Sequence, residues 1–122
     1  MSSSNRSFLP LTTPEAFQTL VVESATHPVV IFKHSPTCGT SAQAYDELES
    51  LLGESPVDVH IVDVLRSRPL SQQIAAETRV RHESPQLLVF RNGVVVWEAS
   101  HWRVTAQAVR AVLEGLAAAQ AQ

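Results

Sequence analysis

"SPQLLVFRNGVVVWEAS", residues 84–100, is the stretch that decides the fold. Two β-branched, apolar runs, Gln86 to Arg91 and Val94 to Ser100, flank Asn92-Gly93, the commonest pair in a two-residue type I′ turn. The segment therefore predicts two antiparallel strands. Upstream, "VVIFK" at 29–33 is too short for a buried helix and reads as a strand covered on both faces. "VDVHIVDV" at 57–64 alternates apolar residues with Asp58, His60 and partly Asp63, the period of a strand with one wetter face.

Helical patterns fill the gaps between these runs. Thr13, Pro14 and Glu15 supply an N-cap, an N1 proline and an acidic first turn for a helix carrying Phe17, Leu20, Val21 and Ala25, expected to end near Pro28. Ala42, Tyr45, Leu48, Leu51 and Leu52 mark a second helix that stops at Gly53 and Pro56. A third runs from about Leu70 to Thr78, and Thr105 caps a last one with Val109, Val112, Leu113 and Leu116 on its apolar side. The order is α-β-α-β-α-β-β-α. Strands alternating with helices require right-handed parallel crossovers, whereas the hairpin is antiparallel. The expected fold is α/β and thioredoxin-like, a mixed central β-sheet sandwiched by α-helices.

Composition narrows the function. A chain of 122 residues suits one domain, with residues 1–12 expected as a flexible tail and 13–122 as the folded unit. The start "MSSSNRSFLP" lacks the apolar core of a secretory signal, and no apolar run reaches the roughly 20 residues of a membrane span. Nine basic residues against twelve acidic ones, the basic ones scattered, argue against nucleic acid as a partner. One cysteine excludes an internal disulfide and fits a reducing cytoplasm. His27, His60 and His82 have no metal-site spacing, so no metal is expected.

That cysteine, Cys38, falls where the first long strand hands over to the second helix. A helix start presents unpaired N–H groups and about half a positive charge, which favours a thiolate over a thiol. In Cys38-Gly39-Thr40-Ser41, the serine stands where a dithiol oxidoreductase keeps its resolving cysteine. Ser41 cannot attack a mixed disulfide, so an adduct on Cys38 would wait for an outside thiol, the signature of a monothiol cycle. Lys33 and His34 precede it on opposite sides of a strand, so at most one approaches the sulfur.

Similarity to thioredoxin-like proteins implies further parts of the site. Pro85 corresponds to their cis-proline, packed against the active sulfur, with the backbone of Ser84 left to pair with substrate. His101 falls where they have a small residue bordering the site, where an imidazolium would acidify the thiol or bind an acidic group. Trp102 reads by default as core filling beneath the last helix and Trp97 as sheet packing. Thioredoxin's buried acid would fall at Phe32, which removes that proton relay.

Together, "FKHSPTCGTS", "ESPQLLVFRNGVVVWEASHW" and the element order resemble the monothiol bacilliredoxin family from about Thr13 to Leu116. The middle of the motif departs from the Cys-Pro-Ile-Ser common in that family, which alters the loop around the sulfur and leaves the reaction type standing. The resemblance implies a thiol-disulfide oxidoreductase in which Cys38 takes bacillithiol, a small thiol bearing glucosamine and malate groups, from S-bacillithiolated proteins. Thr37, Gly39, Thr40, Ser41, Ser84, Pro85 and His101 would line the substrate site. No tightly bound cofactor is implied; bacillithiol is the co-substrate, and a separate disulfide reductase completes the cycle. Two rival expectations stand beside it. One is an iron-sulfur cluster carrier, since monothiol glutaredoxins have Cys-Gly-Phe-Ser. The other is a non-catalytic redox sensor or adaptor.

Overall fold

The computed structural model of the protein describes residues 7–53 and 57–120. The expected stop at Pro56 lies outside the described residues. The element order is β1 (Leu9–Pro10), α1 (Pro14–Glu23), β2 (Val29–His34), α2 (Gly39–Leu52), β3 (Val59–Asp63), α3 (Arg68–Thr78), β4 (Gln86–Arg91), β5 (Val94–Ser100), a 3-10 turn (His101–Arg103) and α4 (Ala106–Gln120).

The five strands form one sheet in the order β1-β3-β2-β4-β5. β3 runs parallel to both β1 and β2, while β2 with β4, and β4 with β5, are antiparallel. This is the mixed sheet expected from the hairpin. Asn92 and Gly93 take φ of 57° and 82°, both left-handed as a type I′ turn requires. Asn92 N–H donates to the Ser24 carbonyl at 2.7 Å and Gly93 N–H to the Ser24 hydroxyl at 2.8 Å, tying the hairpin to the end of α1.

Successive residues of β2 feed two cores, because a strand points its side chains alternately to either face. Val30 and Phe32, with Leu87 and Val89 of β4, pack against Leu48, Leu51 and Leu52 of α2 and Val109 and Leu113 of α4. Val29 and Ile31, with Leu88 and Phe90, pack against Phe17 and Leu20 of α1 and Leu70 and Ile74 of α3. Each such fully buried side chain contributes about 1.5–3 kcal/mol.

Three expectations need correction. Residues 9–12 do not belong to a flexible tail: β1 pairs Leu9 with His60 and Pro10 with Ile61, Leu11 N–H donates to the Ile61 carbonyl at 2.8 Å, and Leu11 is buried. An edge strand this short leaves almost no alternation to read. The first helix ends at Glu23 rather than near Pro28, because Ser24 is buried and gives its carbonyl and hydroxyl to the hairpin. In α2 the buried stripe is Ser41, Ala44, Leu48, Leu51 and Leu52, and Ala42 faces outward.

Candidate active site

Cys38 is the N-cap of α2, with φ −106° and ψ 127°, and it is partly exposed. Its own N–H donates to the Ser35 carbonyl at 3.2 Å, closing a tight turn through exposed Pro36 and Thr37. Its carbonyl accepts from Ala42 N–H at 3.0 Å, the first rung of the helix. The sulfur thus stands over the unpaired amides of the first helical turn. The thiol pKa is held below the usual value, first by the backbone N–H of Ser41 and next by that of Thr40, against an opposing desolvation, with the Thr40 hydroxyl adding to the lowering. The sulfur makes no formal side-chain cap hydrogen bond. The amides favour the anion electrostatically, and for a reactive thiol the anion is the relevant state.

Ser41 is fully buried, which its place in the motif did not reveal. Its hydroxyl oxygen accepts from Ser35 N–H at 2.9 Å and lies 2.8 Å from His34 Nδ1. One hydroxyl thus joins the loop amide to the ring at the end of β2. Burial lowers the His34 pKa, opposed by Asp63, in keeping with a neutral ring. That ring also packs between Phe32 and Tyr45, with centroids 5.4 Å and 5.2 Å away. Ser41 therefore acts near the sulfur only through its backbone, and its side chain braces the loop that carries Cys38.

The Ser84–Pro85 bond is cis, and Pro85 is buried just ahead of β4. The Pro85 carbonyl accepts from His101 N–H at 2.9 Å, so the end of β5 is tied to the proline loop. His101 itself takes φ 56°, uncommon for a side-chain-bearing residue. Its Nε2 lies 2.9 Å from Glu83 Oε1, and that bond is the main cause of the low Glu83 pKa. His101 is thus paired with Glu83, while the groups that lower the Cys38 pKa belong to Ser41 and Thr40. Trp102 does not fill the core; it is 65% exposed, on a 3-10 turn that leaves β5 and packs beside α2. Trp97 does pack against the core. Thr37 is exposed in the loop, Gly39 is exposed at the first position of α2, and Thr40 is partly buried.

One residue escaped the reading of the sequence as anything more than a neighbour of Cys38. Lys33 is completely buried on the α3 face of β2, with Nζ donating to the Ser71 carbonyl at 2.9 Å and lying 3.3 Å from His82 Nδ1. Desolvation lowers its pKa to about 8. The available signal was a lysine ending an apolar run already read as covered on both faces, a charge that required partners. Lys33 and His34 do diverge as strand alternation demands, and neither makes a hydrogen bond to Cys38 among the described residues.

Comparison with known proteins agrees with this geometry. The family description "Monothiol bacilliredoxin BrxC" matches residues 9–109. A solved protein named as a candidate oxidoreductase with a thioredoxin fold is 32% identical, covers 91% of this chain and 96% of its own, and superposes with a TM-score of 0.81. Thioredoxins from Halobacterium salinarum NRC-1, as a point mutant, and from Trypanosoma brucei brucei are 20% and 19% identical. Those pairs cover 94% of each chain for the first and 95% and 96% for the second, with TM-scores of 0.71 and 0.73, and they establish the fold. Among the described residues no helix is long and apolar enough to cross a membrane. A lone, acidified cysteine on a helix start and a cis-proline ahead of β4, within this fold, support thiol redox chemistry, and the chain belongs to the monothiol bacilliredoxin family.

Proposed function

We propose that the protein is a cytoplasmic de-bacillithiolating enzyme working through Cys38 alone. The observation that carries the proposal is the sulfur's placement at the N-cap of α2, partly exposed and with its pKa lowered by the Ser41 and Thr40 amides. The Cys38 thiolate attacks the bacillithiol sulfur of an S-bacillithiolated protein. The protein sulfur leaves as a thiolate and takes a proton from water, and Cys38 retains bacillithiol as a mixed disulfide. With one cysteine in the chain, an intramolecular attack on that disulfide has no nucleophile. A second bacillithiol, as thiolate, attacks the adduct, frees Cys38 and departs as the symmetrical disulfide, whose two electrons a separate reductase restores. No tightly held cofactor enters this cycle. The exposed Thr37 and Gly39, together with Thr40, Ser84 and Pro85, would form the wall against which the substrate disulfide lies.

Intact-mass measurement tests this. Mixed with an S-bacillithiolated protein, the chain is expected to gain one bacillithiol at Cys38 while the substrate appears as free thiol, and Cys38→Ala should slow release by about a hundredfold or more. Equal release by Cys38→Ala would remove the catalytic assignment.

A further inference from the structure

A cavity of about 240 Å³ lies between the first turn of α3 and the loop that leads into β4, lined among others by Ser35, Arg68, Ser71, His82 and Ser84. It adjoins the chemistry through both Ser35, whose carbonyl holds Cys38 N–H, and Ser84, which opens the cis-proline bond. Its charge is one-sided. No Asp or Glu is in the lining, Arg68 stands at its rim, and the buried Lys33 ammonium lies behind Ser71 and His82. The acids flanking it in sequence have partners of their own: Asp63 Oδ1 accepts the Leu65 and Arg66 N–H groups, and Glu83, whose charge also reaches His82, engages His101. His82 Nδ1 sits 3.3 Å from Lys33 Nζ and 3.1 Å from the Ser71 hydroxyl. Accepting there fixes the neutral tautomer that carries a donor on Nε2. Ser67, the N-cap of α3, makes no side-chain cap hydrogen bond, so the helix start adds unpaired positive dipole to the same side.

We infer that this cavity is a carboxylate-binding subsite for the thiol or disulfide that reacts with Cys38, with Arg68 as the fork, His82 Nε2 and the Ser84 hydroxyl as neutral donors, and Lys33 as the fixed charge beneath. The inference rests on Cys38 being an exchange thiol and adds what it selects. An anion here would face Arg68 and the Lys33 ammonium within a lining that holds no Asp or Glu, and carboxylate is the anion ordinarily present on small thiols and on proteins alike. The source is either a carboxylated low-molecular-weight thiol or an acidic side chain next to the modified cysteine of a substrate protein.

Exchange rates of the full chain with a dicarboxylated aryl disulfide and with a neutral dipyridyl disulfide give the readout. The ratio of the first rate to the second should fall about tenfold in Arg68→Gln and drop steeply with salt in the unmodified protein. An unchanged ratio would overturn the subsite. Cysteine peptides carrying a neighbouring Glu or Gln, presented as neutral mixed disulfides, identify the source: loss of Glu preference in Arg68→Gln assigns the substrate protein's acid, and loss confined to the small reagent assigns the thiol. A succinate titration followed by the His82 ring resonances in Cys38→Ala separates this inference from the proposed function. Saturable shifts that disappear in Cys38→Ala/Arg68→Gln sustain the subsite even if de-bacillithiolation fails, and an absence of shifts refutes it.

Discussion

His34 and Lys33 are neighbours on β2, and each anchors a polar cluster on its own side of the sheet. On the α2 side the cluster has no lysine or arginine: the Ser41 hydroxyl joins Ser35 N–H and His34 Nδ1. On the α3 side it is charged, with an ammonium held by a helix carbonyl and an imidazole. The first kind of cluster fixes geometry at little electrostatic expense, which suits the loop that must hold Cys38 over two amides. The second is expensive to bury and adds no rigidity that an apolar side chain could not supply, so its retention points to a use for the charge.

The largest effect that separates the two faces should come from Lys33→Met. In the unfolded chain the lysine keeps its proton until about pH 10.5, whereas in the fold it loses it near 8. The unfolded state therefore binds more protons between those values, and wild-type stability rises as pH climbs through them. Below pH 8 the burial penalty is present in full, about 3 kcal/mol from that displacement. Replacement by Met removes the penalty and loses the bond to Ser71, for a net gain of about 1–3 kcal/mol at pH 7 that shrinks towards pH 10.5. Urea unfolding at several pH values measures it. A less stable variant, with a deficit independent of pH, would mean that the cation is well paired and that the contrast between the faces is false.

Ser41→Ala probes the other face and should move stability the other way. It leaves the buried Ser35 N–H without its acceptor and His34 Nδ1 without its hydroxyl partner, a loss of about 1–3 kcal/mol. The backbone N–H of Ser41, the main cause of the thiol's acidity, is retained. Unfolding midpoints should therefore fall while the pH dependence of Cys38 alkylation stays close to wild type. A large rise in the thiol pKa would show instead that the hydroxyl, through the loop, governs the sulfur.

What the sequence disclosed follows the same division. The Asn92-Gly93 turn, the apolar strands and the Cys38 helix start are local patterns whose physics acts within a few residues, and the structure repeats them. The roles of Ser41, Lys33 and His101 depend on partners 6, 38 and 18 residues away, which no periodicity records. Ser41 was visible as a missing nucleophile but not as a brace. Trp102 was assigned to the core because aromatic residues usually are, and its exposure follows from the 3-10 turn that interrupts the chain between β5 and α4.

The smallest effect belongs to His101→Ala, and it tests whether the region beyond β5 shares in the α2 cluster's control of the thiol. The imidazole is committed to Glu83, and the causes of Cys38 acidity are amides and a hydroxyl of α2. Thiolate absorbance should therefore titrate almost unchanged in the variant. The change should appear in Glu83, whose carboxyl pKa would climb back towards its usual value once its main partner is gone. A depressed carboxyl pKa stabilises the fold above the unfolded value, an advantage that is lost as pH falls through the folded one. The variant should accordingly differ from wild type at neutral pH and converge with it in acid. A marked upward shift of the Cys38 titration would reinstate His101 as an electrostatic partner of the sulfur and would make the thiol's acidity a property shared across two elements rather than one helix start.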